Sequence, residues 1–164
     1  MESLGMSEFL WRSLLIGIGG TAAMDVWALA LKSAFGVALP NWGLVGRWFA
    51  HLGKGRLVHD DIAKASAIGN EITIGWIAHY AIGILYAAVL IWLAGPQWLQ
   101  SPTFPPALII GLVTVGAGWF ILQPGMGAGI AASKRPNPWT IRMLNIAAHI
   151  VFAGGLYITA RLIA

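Results

Sequence analysis

The chain has no cysteine. Disulfides, thiolate-held metals and cysteine nucleophiles are therefore excluded. Charge is nearly as scarce, at 10% of 164 residues. A soluble domain carries about 25% charged residues, so this sequence lacks the material for an ordinary water-facing surface. No segment is both long and polar enough to form a separate soluble catalytic domain. What fills the chain is apolar: 58% of it is hydrophobic, and nine residues are tryptophan.

The apolar residues come in blocks. Crossing a bilayer core about 30 Å thick takes roughly 20 of them as a helix. Four segments qualify, near Phe9–Phe35, Ile72–Ala94, Pro106–Gln123 and Ile141–Ile163. The expected fold is all-α: a polytopic membrane protein, one integral domain over residues 1–164, built as a four-transmembrane-helix bundle. The third span opens on Pro105 and Pro106, which a first helical turn tolerates, and Pro124 interrupts it just after Gln123. With Glu2 and Glu8 ahead of Arg12, the N-terminal stretch does not read as a cleaved leader.

Basic residues give an orientation. The two long loops and their flanks carry Lys32, Arg47, Lys54, Arg56, Lys64, Lys134, Arg135 and Arg142, whereas the opposite side has Arg12 and Arg161. By the positive-inside rule both long loops are cytoplasmic and both termini outside. The basic balance then reflects topology and contact with membrane lipids, not nucleic acid. In the first loop, Asn41 is placed to cap a helix running to Leu52. Trp42, Val45, Trp48, Phe49 and Leu52 form its apolar side, opposite Arg47, His51 and Lys54. That pattern describes an amphipathic helix at the bilayer interface, with tryptophans at headgroup level. Beyond it, His59-Asp60-Asp61-Ile62-Ala63-Lys64 opens a second short helix, its acids near the positive end. In the glycine-rich third loop, Lys134 and Arg135 join Arg47 as the candidate headgroup contacts. That loop lacks the Gly-Lys-Ser/Thr ending of a P-loop.

Spans two and four resemble each other. Ile77-Ala78-His79 with Gly83 and Leu85-Tyr86 matches Ala147-Ala148-His149 with Gly154 and Leu156-Tyr157, after a one-residue slip. Spans one and three match more faintly, through Gly17 and Thr21 against Gly111 and Thr114, and Trp27 against Trp119. Parallel repeats of this kind occur in transporters.

Three ionisable residues fall at membrane depth. At 1.5 Å per residue, Asp25 lies roughly 16 Å, His79 about 12 Å and His149 about 15 Å below the loop surface. An exposed Asp at mid-membrane costs roughly 2.5–3.5 kcal/mol, so all three are expected to face the bundle interior and share one site. Met24, Thr21 and Asn145 are neighbours by helical spacing and join the candidate site. Gln123 is expected to satisfy backbone groups freed at Pro124. For either histidine alone, a plain helix–helix hydrogen bond is the competing role.

Several runs are distinctive together: Met24-Asp25-Val26-Trp27, Asn41-Trp42-Gly43-Leu44-Val45-Gly46-Arg47-Trp48, His59-Asp60-Asp61-Ile62-Ala63-Lys64-Ala65, Gly75-Trp76-Ile77-Ala78-His79-Tyr80, and Gln123-Pro124 through Ala131-Ala132-Ser133. Over nearly the whole chain they resemble a bacterial membrane-protein family known as domain of unknown function 2938. The resemblance implies a small polytopic protein of the bacterial inner membrane and carries no activity. One departure is Gly118, where similar sequences are expected to have proline; its loss implies a straighter third span.

Three functions fit these residues. The first is a transporter or binding protein for a small solute or ion, using the Asp25, His79 and His149 set; four spans form a thin wall, so a homo-oligomer, in the simplest case a dimer, is expected. The second is a redox protein, with His79 and His149 holding a haem from both sides, or with Asp25 completing a two-His-one-carboxylate metal site. The third is an interfacial enzyme acting on lipid headgroups through His59, Asp60 and Asp61. Topology is directly testable in a chain without native thiols. A cysteine at Ser3 should label from outside intact cells and one at Lys54 only after permeabilisation; external labelling at Lys54 reverses the orientation.

Overall fold

An apolar run of spanning length has one stable form in lipid, the helix, because its backbone N–H and C=O groups are then satisfied within the segment. The computed structural model describes residues 4–164, so Glu2 and Ser3 lie outside the described residues. Its helices are α1 (Met6–Phe35), α2 (Trp42–Leu52), α3 (Glu71–Ala94), α4 (Pro96–Gln100), α5 (Phe104–Gly125) and α6 (Pro138–Leu162). Every regular element among the described residues is helical. Helices α1, α3, α5 and α6 are each long and apolar enough to cross a membrane, within a residue or a few of the expected limits. The chain is an all-helical membrane protein, and side chains such as Val26, Ile77 and Val113 point outward as lipid-facing surface.

Local chemistry sets the ends. Gly36 stops α1 by taking a left-handed φ of 67° and returning its N–H to the Leu31 and Lys32 carbonyls. In α5 the regular ladder yields to a π turn over Gly118–Leu122, where the Gln123 N–H donates to the Gly118 carbonyl. Pro124 follows directly and has no N–H to continue an α ladder. Gly118 thus opens an irregular turn in a span that its lack of proline suggested would be straighter. The helix nevertheless continues past Gln123 to Gly125.

Helix α1 packs against α3 on one side and α6 on the other, and α5 packs against α6. Small residues set these distances. A Cβ on Gly17 would strike the Ile84 backbone, and one on Gly111 the His149 carbonyl. The densest apolar packing lies toward the termini, around Ile16, Leu90, Ile91, Leu99 and Leu156. Helices α3 and α5 touch only sparsely. The bundle is closed on three sides and gapped on the fourth.

At the other end α2 folds back onto α3. The Asn41 side chain caps it, accepting from the Leu44 N–H at 3.2 Å. The apolar side of α2 turns toward the protein through Trp48, which is 4% exposed and donates to the Leu57 carbonyl at 2.9 Å. The second expected helix is a single 3₁₀ turn, Ile62–Lys64, capped by Asp61. The two long loops are joined, since the His59 and Ile62 N–H groups donate to the Gly125 and Met126 carbonyls at 2.9 and 3.1 Å. Lys134 and Arg135 remain exposed on the far loop.

Two glycines permit the α2–α3 contact. A Cβ on Gly46 would collide with the Glu71 carbonyl oxygen, and one on Gly75 with that of Trp42. Both obstacles are backbone, so neither can swing aside. Gly46→Ala and Gly75→Ala should each destabilise the protein by about 1–3 kcal/mol, seen as a lower Tm in detergent, whereas Gly154→Ala, which meets open space, should leave Tm unchanged.

Candidate functional site

The gap beside α3 and α5 leads into a cavity of about 330 Å³, toward the small end of small-molecule sites. Most of its wall is apolar, including Val45, Ile82, Ile121 and Phe152. Helix α2 supplies the roof, with Trp42, Trp48 and Phe49. Its polar groups are His79, His149, Thr21, Thr114 and the Tyr86 side chain.

The two histidines reach this space from different walls, and each is fixed by one ring nitrogen. His79 Nε2 lies 3.1 Å from Asp25 Oδ1, and the other carboxylate oxygen accepts from the Tyr80 hydroxyl at 2.9 Å. With the carboxylate charged, Nε2 carries the hydrogen. Trp42 stacks on the same ring, with centroids 3.9 Å apart. His149 Nδ1 lies 3.1 Å from the Gly111 carbonyl and 3.2 Å from the Thr114 hydroxyl oxygen. The Thr114 hydroxyl is itself committed to Gly111, at 2.9 Å. Nδ1 of His149 is therefore the donor. In the neutral rings, His79 Nδ1 and His149 Nε2 are left as unprotonated nitrogens with no hydrogen bond among the described residues, on side chains that line one cavity.

The sequence reading places Asp25, His79 and His149 together with Met24, Thr21 and Asn145, and gives Gln123, a further candidate, to the backbone at Pro124. The structure divides them. Met24, His79 and His149 line the cavity. Asp25 stands behind His79 and orients it, while borrowing a second hydrogen bond from Tyr80. Asn145 and Gln123 form a separate cluster: Asn145 Oδ1 accepts from Gln123 Nε2 at 2.9 Å and from Trp119 Nε1 at 3.1 Å. The Trp119 indole can only donate, which fixes the Asn145 amide. Gln123 does not cover the carbonyls near Pro124, and its own Oε1 is buried without a partner. The π turn brings Trp119 and Gln123 onto the α6 side.

A metal site built from Asp25, His79 and His149 is not what the residues form. Asp25 is spent on His79 and Tyr80, and among the described residues no three His, Cys, Asp or Glu side chains converge to hold a metal ion. Both imidazoles do have the outer hydrogen bond that orients a ligating histidine, a partner that inspection of the sequence alone does not supply.

Two loop assignments also change place. The sequence reading puts Arg47 among headgroups; its guanidinium instead clasps Glu71 at 2.8 and 2.9 Å and donates to the Ile62, Ala63 and Ala65 carbonyls. The Glu71 hydrogen bonds raise the Arg47 guanidinium above its ordinary value, so it stays charged. His59, a candidate for headgroup chemistry, is 2% exposed and faces His51.

The likeness between halves extends to packing. The Thr21 hydroxyl donates to the Gly17 carbonyl and Thr114 to Gly111. Thr21 sits against Gly83, one turn after His79, and Gly111 sits against Ala153, one turn after His149.

Stranding a buried charge is costlier than removing the pair. His79→Leu should destabilise the protein by about 3 kcal/mol. The double variant Asp25→Asn with His79→Leu should recover most of that loss in thermal unfolding. Equal losses in both would mean that the pair is not coupled.

No curated protein and no solved structure matches the chain. Residues 14–163 match the family described as Protein of unknown function (DUF2938), and that stretch takes in most of α1 and the whole bundle beyond it. This chain belongs to that family.

Proposed function

We propose that the protein binds a small, largely apolar molecule bearing a hydrogen-bond donor, and that it carries or presents this molecule within the bacterial inner membrane. The observation that supports this reading is the pair of imidazoles, each fixed from behind, with a free nitrogen on one cavity. Apolar walls give the ligand hydrophobic contact, and His79 Nδ1 and His149 Nε2 accept from its polar end. A lone pair that accepts from a ligand is the same one that takes up a proton, so ligand and proton compete for these nitrogens. That competition makes proton-coupled transport chemically accessible.

The ligand's route is the bilayer. Ile121 both lines the cavity and is 58% exposed beside the α3–α5 gap, whereas α2 covers the loop end. A homodimer, expected of so thin a bundle, would leave this gap free, and Lys134 and Arg135 would meet headgroups on the cytoplasmic side. Asp25 behind His79 favours one alternative. A carboxylate-oriented imidazole is also a general-base arrangement, so an enzyme abstracting a proton from a lipid-phase substrate is the second reading.

Native mass spectrometry of protein extracted with its surrounding lipid tests the first. The parent should retain a bound small molecule, and His79→Leu and His149→Leu should each weaken its retention about tenfold, the effect of one lost hydrogen bond. Equal retention by all three proteins would refute the site. A Soret band or stoichiometric metal in the same sample would favour the redox reading instead.

A further inference from the structure

Away from the cavity, two histidines form a buried pair in the loop cap. His51, at the end of α2, is 7% exposed, and His59, in the following loop, is 2% exposed. His51 Nδ1 and His59 Nε2 are 2.8 Å apart. The outer nitrogens reach carbonyl oxygens: His51 Nε2 to Ser66 at 3.0 Å, and His59 Nδ1 to Gly125 at 3.2 Å.

Hydrogen counting decides what this chain of contacts contains. A carbonyl oxygen only accepts, so each outer nitrogen must carry a hydrogen. A neutral imidazole has one N–H. With both rings neutral, that hydrogen is used on the carbonyl in each, and two lone pairs would oppose each other across 2.8 Å. All three contacts become hydrogen bonds only when the two rings together hold three hydrogens, one imidazolium beside one imidazole.

We propose that His51 and His59 form a proton-binding site, and that their shared proton latches α2 over the cavity. The pair joins three segments: α2 through His51, the first loop through His59 and Ser66, and the end of α5 through Gly125. Trp48 and Phe49, on the turn before His51, are roof residues. When the proton leaves, one of the three hydrogen bonds must break, by separation of the rings or by rotation of one away from its carbonyl.

The surrounding charges leave this proton to the hydrogen bonds. On α2, Arg47 is bound to Glu71 and to loop carbonyls, and Lys54 is exposed. On the loop, Asp61 caps Ala63 and lies 3.8 Å from Lys64, while Arg56 and Asp60 are exposed. The α5 end, Gln123 to Met126, brings no charged side chain. Among the described residues, the ion pair of a carboxylate with histidine is that of Asp25 with His79. The latch is complete only with three hydrogens on the two rings: losing the shared proton breaks one contact, and a further proton, which puts a hydrogen on both inner nitrogens, breaks the contact between the rings.

The test uses full-length protein in lipid nanodiscs, with ¹⁵N-labelled histidine and a spin label at Lys54→Cys. The chain has four histidines, so His51→Gln and His59→Gln assign the pair's signals. Raising the pH far enough to remove the shared proton should take the pair from three protonated ring nitrogens to two. Label mobility should rise over the same interval in the parent and lose its pH dependence in His51→Gln. Two protonated nitrogens at every pH would overturn the shared proton. A change from three to two with no change in mobility would overturn the latch. Neither result depends on what occupies the cavity.

Discussion

The two-point contact between Arg47 and Glu71 holds the loop end of this protein together. Arg47 lies one turn before His51 on α2, and Glu71 is the first residue of α3. Their two hydrogen bonds, at 2.8 and 2.9 Å, bind the short helix to the start of a span. The remaining guanidinium nitrogen gathers three carbonyls of the intervening loop. The approach is close enough for bidentate geometry because Gly46 and Gly75 lack side chains at the crossing. Once α2 is set there, Trp42 stacks on His79, and Trp48 and Phe49 close the cavity. A lysine in place of Arg47 would supply the charge but not the planar fork.

The carboxylate, imidazole and amide side chains inside the bundle each meet a partner on a neighbouring helix. Asp25 on α1 holds His79 and Tyr80 on α3. His149 on α6 is held by α5 through Gly111 and Thr114. Trp119 and Gln123 on α5 meet Asn145 on α6. Lipid offers no competing hydrogen bonds, so these contacts fix helix rotation as well as depth. Each of the two cavity imidazoles also keeps a nitrogen that no group among the described residues uses, which packing alone would not require. Membership of a family without an assigned activity leaves that feature as the best guide to function.

Much of this was legible in the sequence, for physical reasons that also mark where legibility ends. Span positions follow from apolar runs, and α2 from Asn41 and a periodic apolar face. Counting 1.5 Å per residue brought Asp25 and His79 to one level, and they do meet. The same count put His149 at that level, where it lines one cavity with His79, but Asn145, placed one turn from His149, goes elsewhere, because rise along a helix gives height and says nothing of rotation. Asn145 turns to α5 instead, where the π turn over Gly118–Leu122 shifts the facing residues. Tyr80 went unnoticed beside His79, since neighbours on a helix ordinarily point apart; a single carboxylate with two oxygens reaches both. Arg47 and His51 read as the polar side of an interfacial helix, and His59 as a candidate for headgroup chemistry, because their partners, Glu71, Ser66 and Gly125, are brought in by tertiary folding.

The claim that α2 is a roof clamped by one ion pair can be measured in a chain with no native thiol. A cysteine at Phe49 reports roof opening through its rate of reaction with a water-soluble thiol reagent. Arg47→Met and Glu71→Gln should each raise that rate several-fold, and the double variant should label no faster than the quicker single, because the second change has no clamp left to remove. Labelling of the single variants at the parent rate, or effects that multiply in the double variant, would contradict the clamp.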